Sequence, residues 1–406
     1  MLLTPRPRRR RLMFPPRRVC ARMGVSTDGI QHNTANSLLI AGCRKTGMEC
    51  KLAPQNSGGH AHNCGYCCYG CPSNRKQGGT ATWLVDAAAR GAKAIQRCFV
   101  RTVNFSPATA AVAGITAEVD GGTTRLTINC PRVVVAAGAL YTPCLLLSSG
   151  LSNRHIGRNL RLHPATGMWA FMPSAVPTTP WKGPILTALV TEAANLDGRH
   201  YGARGVCVPH HPGFQGLQLP WGSAAQWRQR ILRYRNSLSA VAVTRDRDSS
   251  GTVTADPATG DPLITYDYAP FDRASTAEGL IALSKAYIAA GADEVWADVA
   301  GLAAHVATPG GVASAEFRAW CADVRSRAAA ADTLTSAHQM GTARMGRDAH
   351  SSVCAADGSV WGTRGLWVAD SSLCPTATGV NPMISTMALA AWVAKAVCAD
   401  IVQARA

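Results

Sequence analysis

An uninterrupted apolar segment, residues 132–138, constrains the fold of this chain more than any other feature of the sequence. It contains three consecutive valines and two alanines and is bounded by Pro131 and Gly138. A run without alternation is typical of a strand buried on both faces of a parallel sheet. A second short apolar segment, residues 365–370, ends in Asp370. We expect both segments to be strands of one sheet, which predicts an α/β domain.

The residues from 165 to 335 have a different pattern, with alternating strand candidates, turns rich in Ser, Gly and Pro, and few helices. This pattern predicts an α+β domain, built on an antiparallel sheet and inserted into the α/β domain. A length of 406 residues suits two domains. The strongest helix signal covers 275–290, where Ser275 and Glu278 form a capping-box pattern and Gly291 follows the last turn.

The first 22 residues concentrate positive charge, with eight arginines and no acidic residue, in a chain of net charge +17. Interleaved prolines, among them Pro15 and Pro16, argue against a helix here. Such a block could bind nucleic acid, contact anionic lipid or serve as a targeting segment. No aromatic platform accompanies the charge, so we expect a disordered segment at 1–22 and no nucleic-acid partner.

Four of the fifteen cysteines lie in one short loop, at Cys64, Cys67, Cys68 and Cys71, and the others are scattered singly. The two C-x-x-C spacings fit a zinc or iron–sulfur site, to which His60 and His62 could add ligands. Adjacent Cys67 and Cys68 point apart in most backbone conformations. We therefore favour structural thiols without a metal, and keep the metal site as the alternative.

Two absences bear on location. The N-terminus lacks the apolar core of a secretory signal, and scattered free thiols suit a reducing compartment. No stretch reaches about 18 consecutive apolar residues, so we expect an intracellular protein without a transmembrane helix.

The C-terminal part contains a helix start next to polar residues. Asn381 and Pro382 suit the cap and first position of a helix, and an apolar run without breakers begins at Met383. The first N–H groups of such a helix can stabilise a group that becomes anionic during a reaction. Upstream, His338 precedes two glycines, Gly341 and Gly346.

Taken together, His338 in H-x-x-G-x-x-x-x-G, the strand ending in Asp370 and the Gly-Val-Asn-Pro-Met segment resemble the C-terminal signature of the glucose–methanol–choline (GMC) oxidoreductases. Residues 138–151 resemble the family's second signature, and 156–164 its G-R-N-L-x-x-H-P segment. The loop from Cys64 to Cys71, Thr80 to Ala92, Leu219–Trp221 and Thr244–Arg247 resemble the long-chain fatty alcohol oxidase branch.

The resemblance implies FAD as cofactor. His338 would accept the substrate hydroxyl proton, which suits a neutral imidazole near pH 7. Asn381 would hold the same hydroxyl, so the two side chains should lie roughly 4–7 Å apart. The residues implied to bind FAD are Val100, Ala137, Gly138, Asp370, Ser371, Pro382 and Met383, with Val100 and Ala137–Gly138 on the adenine side.

The resemblance also implies a domain plan. The α/β domain of GMC type would comprise 91–164 and 336–406, the substrate domain 165–335, and a flavin-covering segment with the cysteine loop 23–90. The family's G-x-G-x-x-G segment does not occur in this sequence. We therefore expect an incomplete FAD-binding domain and weak FAD binding.

The implied activity is oxidation of a long-chain primary alcohol by O₂ to an aldehyde and H₂O₂. Peripheral membrane contact, microsomal or peroxisomal, is implied by the same resemblance. The alternatives are an inactive remnant that does not retain FAD and a metal-binding protein built around the cysteine loop.

Overall fold

The computed structural model describes residues 14–208, 211–219, 221–330 and 334–405. Most of the Arg-rich segment and Pro220 lie outside these residues. The helices of the described residues are α1 Phe14–Met23, α2 Thr34–Thr46, α3 Trp83–Ala88, α4 Gly138–Ser148, α5 Pro212–Gln218, α6 Ala224–Leu232, α7 Pro270–Ala290, α8 Ala315–Ala329 and α9 Met383–Gln403.

The strands fall into four sheets. In chain order, the strands of the described residues are β1 Cys50–Leu52, β2 Cys98–Phe105, β3 Val112–Val119, β4 Thr124–Asn129, β5 Val133–Val135, β6 Arg158–Leu160, β7 Ala165–Phe171, β8 Ala188–Val190, β9 Ala203–Cys207, β10 Ser237–Thr244, β11 Ser250–Ala255, β12 Pro262–Asp267, β13 Glu294–Ala297, β14 His305–Val306 and β15 Leu366–Val368.

The largest sheet is antiparallel, with the strand order β1-β8-β9-β10-β7-β13-β14. Helix α7 packs on it through Leu280 and Tyr287, and α2 and α8 pack against α7. The approach of α2 is close, because a Cβ on Gly42 would lie 1.8 Å from the carbonyl oxygen of Ala286. Since α7 has neighbours on several sides, it is apolar around most of its circumference rather than along one stripe.

The apolar segment identified in the sequence forms β5, which pairs in parallel with β15, Leu366 opposite Val133 and Val368 opposite Val135. The prediction that both segments belong to one sheet is therefore confirmed. Beside this pair, β2, β3 and β4 form an antiparallel meander whose last turn contains Gly121 at φ +72°. A second core lies here, formed by residues such as Leu146, Trp367 and Val393. A separate sheet joins β6 to β11 and β12.

Three predictions about helix starts need correction. Helix α7 begins at Pro270, so Ser275 is not a cap but lies inside the helix and donates its hydroxyl to the Phe271 carbonyl. Helix α9 begins at Met383 with Pro382 as its cap, one residue later than predicted. Helix α1 includes Pro15 and Pro16, and the argument that prolines exclude a helix there was wrong. They stand in its first turn, where a missing N–H breaks no intrahelical hydrogen bond.

Helix α9 also bears on the membrane prediction. Among the described helices it alone is long and apolar enough to cross a membrane. Of its most apolar 18 residues, 11% are buried inside the protein. A core helix of a soluble protein meets the same criteria of length and composition, so this is weak evidence for a membrane span.

Candidate active site

The strand β15 leads directly into the candidate site through Asp370, which is buried. One carboxylate oxygen accepts the backbone N–H of Ser372 at 2.7 Å and caps a short 3-10 turn. The other accepts the N–H of Gly138 at 3.0 Å and the hydroxyl of Thr142 at 2.6 Å. Asp370 therefore ties the end of β15 to the start of α4.

The segment that carries His338 lies alongside this turn. The N–H of Gly341 donates to the Ser371 carbonyl at 3.1 Å, and the Ser371 hydroxyl donates to the Gln339 carbonyl at 2.8 Å. Gly341 has φ +93°, and a Cβ there would lie 2.5 Å from the carbonyl oxygen of Asn159. A glycine is therefore needed, both for the conformation and for the close approach of the two backbones.

His338 and Asn381 come together although they are far apart in the chain. The Nε2 atom of His338 lies 3.4 Å from Nδ2 of Asn381, closer than the separation we expected from the sequence. The N–H of His338 donates to the Ser336 hydroxyl at 3.1 Å, which fixes the backbone on the other side. Their contact agrees with a shared site, and the role of each remains a prediction.

His163, which had no individual role among the residues predicted from the sequence, completes the arrangement. Its Nδ1 lies 3.3 Å from Nδ1 of His338, and its Nε2 accepts the backbone N–H of Gly379 at 3.0 Å. The two rings are nearly perpendicular, at 87°. His163 is buried and thus connects the His338 ring with the loop that precedes Asn381.

These contacts determine where the ring protons can be. Because Gly379 donates to Nε2 of His163, the neutral His163 ring carries its proton on Nδ1 and donates it to Nδ1 of His338. His338 then carries its own proton on Nε2, and Asn381 accepts it when the amide is turned so that its oxygen takes the position of Nδ2. To accept a substrate proton at Nε2, His338 must carry its own proton on Nδ1. Because Nδ1 faces His163, the tautomer that can act as a base depends on His163.

The segment Thr244–Arg247 holds His163 and Asn381 in place. The Asp246 carboxylate accepts the backbone N–H of His163 at 2.9 Å and a hydrogen bond from the Tyr266 hydroxyl. Arg245 donates to the Ala377 carbonyl at 3.0 Å, just before the Asn381 loop. Burial raises the pKa of Asp246. A resemblance to the long-chain branch marked this segment, but its contacts could be seen only in the fold.

Burial also determines the charge of both rings. Burial, with the nearby His338, Arg204 and Arg245, lowers the pKa of His163 to about 3. Burial lowers the pKa of His338 as well. Both imidazoles are therefore neutral near pH 7, as a proton acceptor must be.

The residues assigned to the adenine side border a groove on the exposed face of β5. Val100, Ala137 and Tyr141 are among its lining residues, and the groove has a volume of about 480 Å³. Gly138 lies next to it with φ +79°. Val134 is exposed there, which is unusual for the middle of an apolar strand. A flat aromatic group would cover this apolar surface.

The opposite end of the site offers backbone donors. Thr386 donates its N–H to the Pro382 carbonyl, so the N–H groups of residues 383–385 precede the first hydrogen bond of α9. Pro382 itself has no N–H to offer. Asn381 and Met383 are exposed, which leaves this helix end accessible.

Family models identify the class of protein that combines this fold and this site. The N-terminal and C-terminal models of the GMC oxidoreductases match residues 12–165 and 247–390. The chain belongs to the GMC oxidoreductase family. FAD is the cofactor of this family.

Among curated relatives, a long-chain-alcohol oxidase of Arabidopsis thaliana, FAO4A, is 33% identical over 390 residues, which cover 92% of this chain and 51% of that protein. An uncharacterized GMC-type oxidoreductase of Mycobacterium tuberculosis is 33% identical over 370 residues, covering 91% of this chain and 55% of that one. The chain thus spans about half the length of these relatives.

Solved structures show the same fold. Pyridoxine 4-oxidase from Mesorbium loti superimposes with a TM-score of 0.61 at 18% identity, covering 91% of this chain and 70% of that chain. A formate oxidase variant of Aspergillus oryzae gives 0.55 at 16% identity, covering 75% and 60%.

Three features of the chain fit FAD: the apolar groove beside β5, the open N-terminus of α9 beside His338 and Asn381, and the Asp370 carboxylate between them along the chain. The carboxylate could accept hydrogen bonds from ribityl hydroxyls, whereas its negative charge disfavours a phosphate at the same place.

Proposed function

We propose that this chain carries the catalytic residues of an FAD-dependent alcohol oxidase that converts long-chain primary alcohols and O₂ to aldehydes and H₂O₂. The contact between His338 and Asn381 at the start of α9 is the observation that supports this most directly. A base and a hydrogen-bonding amide that reach one hydroxyl oxygen are what removal of its proton requires.

Bound FAD would take the hydride from the carbon that bears the hydroxyl. His338 accepts the hydroxyl proton at Nε2, and Asn381 binds the same oxygen so that the C–H bond has a fixed direction. In the tautomer that can act as a base, His338 carries its proton on Nδ1 and donates it in a hydrogen bond to Nδ1 of His163. His163 can accept this hydrogen bond only if its own proton moves to Nε2 or its ring turns away from Gly379. His163 is therefore a positioning residue whose hydrogen bonds influence the basicity of His338.

The remaining predicted residues would hold the cofactor. Val100, Ala137 and Gly138 would hold the adenosine part and Asp370 would bind the ribityl hydroxyls, with Ser371 fixing the backbone beside it. At the helix end, the N–H of Met383 would face the electron-poor pyrimidine edge, where negative charge develops, while Pro382 sets the helix start.

The long-chain substrate class rests on the similarity to the long-chain-alcohol oxidases of Arabidopsis thaliana. Such substrates partition into membranes, so we also propose peripheral contact with an intracellular membrane. The net charge of +17 would favour an anionic surface.

The test is H₂O₂ formation from dodecanol with FAD added in excess, with ethanol as the short-chain comparison. We expect activity with dodecanol above that with ethanol, and a loss of roughly 10²–10⁴-fold in turnover for His338→Ala, the usual contribution of a general base. His350→Ala, which changes an exposed histidine, serves as control. No alcohol-dependent H₂O₂ from flavin-loaded protein, or unchanged turnover in His338→Ala, contradicts the proposal.

A further inference from the structure

The cysteine loop brings three metal-ligating side chains to one point. The ligand atoms of His62, Cys67 and Cys71 all lie within 4.8 Å of one another. Nε2 of His62 lies 3.3 Å from the sulfur of Cys67 and 3.4 Å from that of Cys71. Cys68, between them in the sequence, is exposed and outside the cluster.

The nitrogen–sulfur distances of 3.3 and 3.4 Å are close to those of a tetrahedral zinc site, and the group as a whole, within 4.8 Å, is somewhat wider than one. Zinc binds sulfur at about 2.3 Å and imidazole nitrogen at about 2.0–2.1 Å, which places neighbouring ligand atoms about 3.5–3.8 Å apart. The two nitrogen–sulfur distances are within a few tenths of an ångström of this range. An inward adjustment of the cysteine side chains would complete the geometry around the ion.

Cys64 lies outside this group of three but next to it, and a change of its side-chain position would make it the fourth ligand. Its thiol interacts with that of Cys67. The backbone N–H of Tyr66 donates to the Cys64 sulfur at 3.4 Å. The resulting set is His-x-Cys-x-x-Cys-x-x-x-Cys within ten residues, and three sulfurs with one nitrogen form a closed structural zinc site.

The surroundings of His62 and Lys76 also point to an ion. His62 is 6% exposed, and its Nδ1 has no hydrogen-bond partner among the described residues. Nε2 rather than Nδ1 faces the two sulfurs, so it is the burial of the ring beside the thiols, and not its unpaired nitrogen, that suits a metal ligand. The half-buried ammonium of Lys76 interacts electrostatically with Cys67 and Cys71. One Zn²⁺ with three thiolates carries a net charge of −1, which this ammonium would balance.

We propose that His62, Cys64, Cys67 and Cys71 bind one Zn²⁺ as a structural site. Binding displaces the thiol protons to solvent, and no redox change occurs. This reverses the preference for metal-free thiols drawn from the sequence. The difficulty that Cys67 and Cys68 point apart disappears, because His62 takes the place of Cys68.

The ion would fix the loop against a neighbouring segment of the chain. Gly65 packs so closely on Trp181 that a Cβ would lie 1.7 Å from its carbonyl oxygen. The rings of Tyr66 and Tyr69 each lie 5.0 Å from the His211 ring. Zinc ligands on both sides of Gly65 would hold these contacts in register, so the site would stabilise the attachment of the loop rather than take part in oxidation.

The experiment uses the full chain, purified under reducing conditions and analysed for metals, then stripped and reloaded with Zn²⁺ or Co²⁺. We expect about one zinc per chain, a cobalt spectrum with thiolate charge-transfer and tetrahedral bands, and a melting temperature several degrees lower after stripping. Cys71→Ser should lose most of the zinc, and Cys68→Ser, the matched control, should keep it.

Three results would overturn the proposal. The first is wild-type protein that takes up neither zinc nor cobalt. The second is iron bound in place of zinc, which would indicate a cluster. The third is equal zinc loss in Cys68→Ser and Cys71→Ser with both variants folded by circular dichroism. If Cys71→Ser does not fold, the cobalt spectrum of the wild-type protein decides.

Discussion

His163 combines three properties that rarely occur together in one residue. It is a non-glycine residue at φ +50°, its side chain is buried, and both ring nitrogens contact protein groups. A left-handed conformation costs free energy for a residue with a side chain. Its backbone N–H bond to the buried Asp246 offsets part of that cost. The fold therefore maintains this conformation in order to place the ring between His338 and Gly379.

The lowered pKa of His163 predicts a pH dependence of stability. The ordinary histidine pKa of 6.5 applies to the unfolded chain, and the folded value is about 3. The unfolded state therefore binds the proton more readily in this window. The stability contributed by neutral His163 is fully present above about pH 6.5 and decreases as the pH falls toward 3, by about 1.4 kcal/mol per pH unit at most.

Urea unfolding at several pH values measures this effect. His163→Gln removes the titrating group. Below about pH 6.5 the free energy of unfolding of this variant should therefore fall less steeply with decreasing pH than that of the wild type, by the slope that the uptake of about one proton causes. His350→Gln, at an exposed histidine, should keep the wild-type slope. Parallel curves for wild type and His163→Gln would show that His163 titrates normally.

The sequence could predict His338 and Asn381 but not the role of His163. The first two belong to a signature whose order and spacing are specific. The importance of His163 depends on a contact with a residue 175 positions away, on a backbone bond from Gly379 and on burial. None of these leaves a local pattern in the sequence.

Among the elements, the segment 339–345 depends on a single glycine. Gly341→Ala would force a side chain into a left-handed backbone and bring its Cβ within 2.5 Å of the Asn159 carbonyl oxygen. We expect a loss of stability of several kcal/mol, since both backbone strain and a backbone clash contribute. Turnover should fall as well, because His338 lies three residues away.

Gly362→Ala is the matched control for this change. Gly362 has φ +77° but no atom within 4 Å of the added Cβ, so only the conformational cost of about 1 kcal/mol remains. Chemical unfolding of both variants separates the free-energy cost of the clash with Asn159 from the cost of the left-handed conformation. Equal losses in the two variants would mean that the contact with Asn159 imposes no constraint.

The elements differ in how well local patterns predicted them. The pairing of β5 with β15 followed from two short apolar segments. The start of α7 did not, because Pro270 in the first turn and burial on several sides outweighed a capping box inside the helix. Tertiary packing, which a local pattern does not contain, determined that boundary.

At the scale of the molecule, the candidate site depends on segments that are far apart in the chain. His338 and Asn381 come from the C-terminal part, His163 follows the strand β6, and Asp246 follows β10 of the large antiparallel sheet. A change in how the large sheet meets the β5–β15 pair would separate these groups. The site is therefore a sensitive probe of the native arrangement.

We predict that the same arrangement limits how tightly these residues hold FAD. A glycine turn after a parallel strand commonly offers free N–H groups to a pyrophosphate. At the turn between β5 and α4, however, the N–H of Gly138 is already bonded to Asp370, whose charge repels phosphate. We therefore expect FAD to bind mainly through its flavin ring and adenosine, with a micromolar or weaker dissociation constant.

Flavin fluorescence during titration of the purified chain measures this affinity, with FMN as the comparison. FMN shares the ring, the ribityl chain and one phosphate but lacks the adenosine that would enter the groove beside β5. If the groove is the only additional contact that FAD makes, the dissociation constants of FAD and FMN should differ by no more than about tenfold. This corresponds to a difference in binding free energy of about 1.4 kcal/mol. Protein that is purified yellow with one FAD per chain, or that binds FAD several hundredfold more tightly than FMN, would show that these residues bind the pyrophosphate tightly.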